Sequence, residues 1–387
     1  MSSSFPLRLL DGSDDERLRY FAESSIKHPR LTQATRQLRR AMNSRVVDSI
    51  IFVYGPPGVG KTTLCEHLVA EIIKANSACL GTERYREVPI AFINAAAPDN
   101  NHFDWKYFYQ HAIFNIESSV SKKRPLKLVP YNPRLAPALY FSQKLKTCEY
   151  RNHFIASLRK YLPLGFFIDE AQHLAKVKSA DQLRNQMDII KTIAHFSRIK
   201  IILTGSYDIL PFRNLSGQLS RRSWDVHLSR YTTSPEDLND FQSAILSLQK
   251  RLPLPVEPNL VQHWKYIYTK SAGCVGIMKD WLLRALEIAI DDNKNTLSLE
   301  MLEECALSDN QSLNIALEIS SGEQLTDSTE KSYQEIEQAL GFLPKKNKKT
   351  KSSEKSASSL SPMTAPSRPG KKFGVGRPKA KRFPTGK

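Results

Sequence analysis

"SIIFVYGPPGVGKTTLCEHLVAEIIKA", residues 49–75, decides the fold. Ser49 to Tyr54 form a short unbroken apolar run, the pattern of a strand buried on both faces of a parallel sheet. It ends in Gly55, Pro56, Pro57, Gly58, Val59, Gly60, Lys61 and Thr62, which fit G-x-x-x-x-G-K-[ST], with Thr63 next. Residues 61–75 then place Leu64, Leu68 and Ile72 on one helical stripe. Strand, glycine loop and helix in this order make a phosphate cradle. The glycines let backbone N–H groups wrap the phosphates, and the helix N-terminus adds its positive dipole end. Lys61 is the candidate for the β- and γ-phosphates of ATP, and the Thr62 hydroxyl the candidate ligand for Mg²⁺.

Four more stretches repeat the buried-strand pattern: "VPIAFINA" (88–95), "LGFFIDE" (164–170), "IKIILTGS" (199–206) and "WDVHLSRY" (224–231). Helical segments separate most of them, notably 103–117 and 180–197. The alternation predicts an α/β fold, a P-loop module with a five-stranded parallel sheet covered on both faces. Upstream, residues 27–42 have helical spacing, with Leu31, Ala34, Leu38 and Met42 on one face. Residues 1–24 read as an irregular arm. Past Pro235 the strands stop and four helical segments follow, at 235–252, 259–273, 277–291 and 298–308. The expected organisation is an arm (1–24), a nucleotide-binding α/β domain (25–234), an all-helical lid (235–343) and a disordered basic tail (344–387).

Composition narrows the partners. The chain has 387 residues and carries 56 Lys and Arg against 39 Asp and Glu, a net charge of +17. Fourteen of the basic residues lie beyond Pro344, where the one acid is Glu354. Such a balance fits a polyanion, most simply double-stranded DNA. No stretch approaches the roughly 20 apolar residues of a membrane span, and the N-terminus has no secretory pattern. A cytoplasmic, nucleoid-associated protein without a membrane partner is expected. Cysteines 65, 79, 148, 274 and 305 are scattered without paired spacing, which argues for reduced thiols rather than a zinc site or a disulfide framework.

"FFIDEAQHL" (166–174) supplies the hydrolytic half of the site. At the end of a buried strand, Asp169 would hold Mg²⁺ and Glu170 would polarise the attacking water. A helicase of the DEAH type needs a second sheet-containing domain, whereas here one further strand pair leads only to helices. In "IILTGS" either Thr204 or Ser206 is placed to sense the γ-phosphate. "LSGQLSRRSWDVHL" (215–228) sets Arg221 and Arg222 before the fifth strand, where an arginine finger acts on a neighbouring subunit. A finger in trans is worth about 10³–10⁵ in rate.

With these parts in place the chain resembles the TnsC/TniB-type AAA+ regulators of bacterial transposons, including those coupled to CRISPR effectors. The resemblance covers about residues 25–310. It is carried by "HPRLTQATRQL", "GPPGVGKTTL", "NAAAPDNNHFDWKYFY", "FFIDEAQHL", "LTGSYDIL" and "SAGCVGIMKDWLLRAL". It implies an ATPase that forms a homo-oligomer, a ring or helical filament, on double-stranded DNA. Such a protein links a TniQ-like target selector or a Cas effector complex to a transposase. It also implies that His28, Pro29 and Arg30 border the adenine. Where an AAA+ lid often carries an arginine, this chain has Gly276, leaving Lys279 as the nearby cation. The alternative is another AAA+ initiator or loader of the Orc or IstB kind.

Candidate DNA contacts follow from charge. Residues 118–151 hold Lys122, Lys123, Arg124, Lys127, Arg134, Lys144, Lys146 and Arg151 against Glu149 alone. Phosphate contacts from such a segment carry no sequence information. Lys106, in "DWKYFY", is a further candidate. In the tail "GVGRPKAKR" (374–382) places Arg377 in a Gly-Arg-Pro core that resembles an AT-hook, although Val375 stands where a basic residue is usual. A general polycation or an arm that touches the transposase fits the same residues.

Overall fold

In the computed structural model the described residues are 5–46, 49–82, 86–98, 102–121, 145–213, 215, 223–326 and 330–342. Five strands make one parallel sheet: β1 Ile50–Tyr54, β2 Ala91–Asn94, β3 Phe166–Asp169, β4 Ile201–Gly205 and β5 Ser223–His227, ordered β2-β3-β4-β1-β5. All five expected strands are present, and so is the parallel arrangement. The register aligns their C-terminal ends: Tyr54 pairs with Gly205 and His227, and Asn94 with Asp169. Loops leaving these ends share one rim, the edge where open α/β sheets hold ligands.

Alternation along each strand builds two cores. Ile51, Val53, Phe167, Ile202 and Val226 face α2 (Pro29–Asn43) and α3 (Lys61–Ser77). Ile50, Phe52, Ile93, Phe166, Ile168 and Leu203 face the opposite way, onto α4 (Trp105–Ser121), α5 (Thr147–Tyr161) and α7 (Ala180–Ser197). Between β3 and α7 lies the single turn α6 (Gln172–Ala175), and α8 (Leu210–Arg213) follows β4. Helix α2 buries Leu31, Ala34, Leu38 and Ala41, so Ala41 takes the place expected for Met42, which is partly buried at the edge of the same core.

Beyond β5 come α9 (Pro235–Gln249), α10 (Trp264–Ser271), α11 (Val275–Asp291), α12 (Leu299–Glu304) and α13 (Asp309–Thr326). Helices α9–α12 enclose a third core around Phe241, Met278, Trp281, Leu282 and Leu286. Phe21 and Ile26 belong to this core as well, which corrects the expected irregular arm. Residues 14–23 are helix α1 (Asp14–Glu23), with the Ser13 hydroxyl accepting from the Glu16 amide and three acids in the first turn. A capped helix with Phe21 fully buried is a lid element, although residues 24–234 separate it from the lid in the chain.

The contacts divide the chain into Met1–Asp327 and Ser328–Lys387. In the second unit the described helix is α14 (Glu330–Leu340), whose Tyr333, Ile336 and Leu340 are exposed. The expected basic tail, with Arg377, lies outside the described residues. All five cysteines are free thiols. Among the described residues no helix is long and apolar enough to cross a membrane.

Candidate functional site

The P-loop leaves β1 and enters α3 through Gly60, whose φ of +101° places it in the left-handed region that glycine adopts freely. Lys61 turns back over the loop and its Nζ donates to the carbonyls of Gly55 and Pro56, at 3.0 and 2.7 Å. Burial holds the Lys61 ammonium below its ordinary range, while Glu170 and Asp169 oppose that fall. The loop thus holds a partly desolvated cation at its centre, which favours a phosphate ligand.

Across the rim, the Thr62 hydroxyl donates to Asp169 Oδ2 at 3.1 Å. Burial pushes the Asp169 carboxyl above its ordinary range, against the opposing hydrogen bond from the Glu170 amide at 3.0 Å. A hydroxyl and a buried carboxylate in contact are hard oxygen donors, so the pair fits a small divalent cation completed by phosphate and water. Among the described residues no cluster of three or more His, Cys, Asp and Glu could hold a metal by protein ligands alone. Glu170 itself is exposed, with a left-handed φ of +53° that turns the chain sharply at the end of β3.

The two sensor candidates separate. Thr204 is 1% exposed and its hydroxyl lies 3.4 Å from the Cys65 sulfur, inside the sheet. Ser206 sits beyond the strand, partly exposed, with its hydroxyl on Asp208 and its amide on Gln172 Oε1. Arg221 and Arg222 lie outside the described residues, as do Lys122, Lys123, Arg124 and Lys127. Lys106 is described; its ammonium stands 5.6 Å from the Tyr150 ring centroid.

The lid meets the P-loop directly. The Ile277 amide, in the first turn of α11, donates to the Gly58 carbonyl at 3.2 Å. A Cβ at Gly276 would stand 2.3 Å from that same oxygen. No side chain fits at position 276, which explains why the chain has glycine where a lid arginine is often found. Lys279 is engaged elsewhere, donating to the Ala22 carbonyl of α1 at 2.6 Å.

Residues expected at the adenine make connections between α2 and the lid. The His28 ring caps α2 by accepting from the Leu31 amide, and its Nδ1 lies 3.0 Å from the Tyr231 hydroxyl. Pro29 is exposed at the first helical position. Arg30 pairs with both oxygens of Asp237 at the start of α9, at 2.7 and 2.6 Å.

Burial lowers the His28 pKa to about 4 and that of His111 likewise to about 4. The folded imidazoles are therefore neutral where the unfolded ones, near 6.5, take up protons. Their contribution to stability is complete above about pH 6.5 and is lost as the pH falls towards about 4. Thermal melts between pH 7.5 and 5 are expected to show a falling Tm. A His28→Asn/His111→Asn double variant, with Asn keeping the α2 cap, should flatten that fall; an unflattened curve would assign the acid sensitivity to other groups.

Two parts of the site escape the motif reading. Gln172 bridges the Glu170 carboxylate and the Ser206 amide. Arg230, just past β5, forms a two-bond pair with Glu323 of α13, each bond 3.0 Å. Arg230 falls at the end of the expected strand 224–231, where nothing in the local pattern marks it, and its partner lies 93 residues on.

A parallel sheet ordered β2-β3-β4-β1-β5, with a P-loop after β1, Asp-Glu after β3 and helices beyond β5, is the AAA+ P-loop fold. Residues 44–212 match the family model described as an AAA domain, a class of nucleotide-hydrolysing ATPases. No curated protein matches the chain. Among solved structures the chain is similar to the ORC1 protein of Aeropyrum pernix in complex with DNA, at 15% identity and TM-score 0.49, covering 75% of this chain and 68% of that one. It is similar to the ORC2 protein of Aeropyrum pernix in its ADPNP–ADP complexes, at 18% identity and TM-score 0.43, covering 75% and 72%. It is also similar to a Walker-type ATPase of Pyrococcus abyssi, at 14% identity and TM-score 0.40, covering 79% and 75%. Likenesses at these identities and scores say nothing of what this chain binds.

Proposed function

We propose that the protein is an ATPase that assembles on double-stranded DNA as a transposition regulator, coupling a TniQ-like target selector or Cas effector complex to a transposase. The observation that carries the ATPase reading is the contact of Thr62 with Asp169, beside Lys61 and Glu170, on one rim of the sheet. Lys61 binds the β- and γ-phosphates, and the loop glycines give the backbone room to approach them. Mg²⁺, held by Thr62 and Asp169, would neutralise phosphate charge. Glu170 takes the proton of the attacking water as its oxygen bonds to the γ-phosphorus. The bond to the β,γ-bridging oxygen breaks, and its electron pair leaves with ADP. Ser206 is better placed than Thr204 to follow the γ-phosphate, because the Thr204 hydroxyl is buried. Arg221 or Arg222 of a neighbouring copy would complete the site, making hydrolysis depend on assembly.

The DNA and transposition readings are supported by the +17 charge and by the resemblance of the motif stretches. Electron microscopy with ATP and duplex DNA tests them, with rings or filaments expected only when both are present. A helicase or transposase loader of the Orc or IstB kind predicts assembly without stimulation by a TniQ-like protein. Adding that protein and the transposase to the ATPase assay distinguishes the two. Monomers under all conditions would remove the assembly reading and leave an isolated ATPase.

A further inference from the structure

Gln172 follows the Asp169–Glu170 pair, and nothing in phosphate binding requires an amide there. Its Nε2 donates to Glu170 Oε2 at 2.5 Å, and its Oε1 accepts from the Ser206 amide at 3.2 Å. One planar group therefore joins the loop after β3 to the loop after β4. The orientation is fixed by chemistry, since a carboxylate can only accept and a backbone N–H can only donate.

The surrounding turn is pinned independently. The Ala171 amide donates to the Thr204 carbonyl at 2.8 Å, the His173 amide to the Glu170 carbonyl at 3.0 Å, and the His173 Nδ1 stands 2.9 Å from the Ala95 carbonyl oxygen. Position 205 is adapted to the bridge as well. A Cβ on Gly205 would lie 2.4 Å from Gln172 Oε1 and 3.2 Å from its backbone nitrogen. With the backbone fixed on both sides, the freedom left to Glu170 is that of its side chain, and Gln172 restrains it.

We propose that Gln172 is a positioning residue that sets the Glu170 carboxylate from the Ser206 backbone, so that the loop following the γ-phosphate also sets the base. The proposal rests on Glu170 acting as the base, as argued above. With the amide N–H on Oε2, Oε1 is the oxygen open to the proton leaving the water. A shift of Ser206 on engaging phosphate passes to Glu170 through one rigid group, and a misplacement of about 1 Å at a reacting group costs on the order of 10²-fold in rate.

Two full-length variants test this. Gln172→Glu keeps an acceptor for the Ser206 amide but turns the donor facing Glu170 into a repelling oxygen; Gln172→Ala removes both arms. Single-turnover hydrolysis of ATP with Mg²⁺ is expected to fall at least about 10-fold in each. The Kd for a fluorescent ATP analogue should stay within about twofold and Tm near that of the wild type, since the bridge is surface-accessible. Wild-type hydrolysis in both variants, or an affinity loss as large as the rate loss, overturns the proposal. A Glu170→Gln control separates the two layers. If that variant is inactive while both Gln172 variants are normal, only the positioning role fails. If it hydrolyses ATP normally, the base assignment fails and the positioning role with it.

Discussion

Glu170→Gln is expected to lower ATP hydrolysis by about 10²–10⁴-fold, the usual contribution of a general base, while nucleotide binding persists. The substitution keeps the volume of the side chain and an oxygen able to accept from Gln172 Nε2, so the turn after β3 has no reason to rearrange. What it removes is the group that takes the proton of the water. Asp169 does not replace it, because that carboxyl is buried and committed to Thr62 and the Glu170 amide. Single-turnover hydrolysis beside binding of a fluorescent ATP analogue reads the split. Normal hydrolysis would sink the assignment of Glu170. On the proposed function, the same variant in microscopy should hold long-lived assemblies on DNA, because assembly needs ATP and turnover does not follow.

Lys61→Ala should act one step earlier, on binding. The ammonium stands over the P-loop on two carbonyls, and a charge-assisted hydrogen bond contributes about 1.5–3 kcal/mol. Its loss corresponds to roughly 10–100-fold weaker ATP binding. Alanine also leaves the Gly55 and Pro56 carbonyls without their donor, so the melting curve must accompany the titration to separate affinity from folding. Unchanged affinity in a folded variant would mean that Lys61 is a loop brace and not the phosphate cation. Together the two variants divide the site into a part that holds ATP and a part that cleaves it.

Whatever depended on local pattern was legible in the sequence. Strands β1, β3 and β4 are short apolar runs with both faces buried, and the edge strands β2 and β5 are partly exposed. The P-loop is a contiguous string, and α7 begins and ends where its spacing and the Ser179 cap place it. Asp169 and Glu170 were legible because they end such a run. Helix α1 had a readable signal in Ser13-Asp-Asp-Glu16, a capping pattern, but few apolar residues to announce its buried face. Helix α13 was hidden by Ser320-Ser321-Gly322, which reads as a breaker. Gly322 is needed there because a Cβ would stand 2.0 Å from the Tyr207 ring. Gln172, Arg230 and the role of Gly276 depend on contacts between elements distant in sequence, which no local pattern encodes. His28 and Arg30 were expected to border the adenine, whereas the contacts they make here join α2 to Tyr231 and to Asp237 of the lid.

That junction has a mechanical consequence. The lid is attached to the sheet by two lengths of chain rather than one: residues 24–28, between α1 and α2, and residues 228–234, between β5 and α9. His28 with Tyr231 joins the two lengths, and just beyond their ends Arg30 of α2 pairs with Asp237 of α9. The lid is therefore held against the sheet by two neighbouring crossings of the chain and not by a single linker. The Gly58–Ile277 contact is a further attachment, so the phosphate-binding loop itself is tied to the lid, backbone to backbone, in addition to the two crossings.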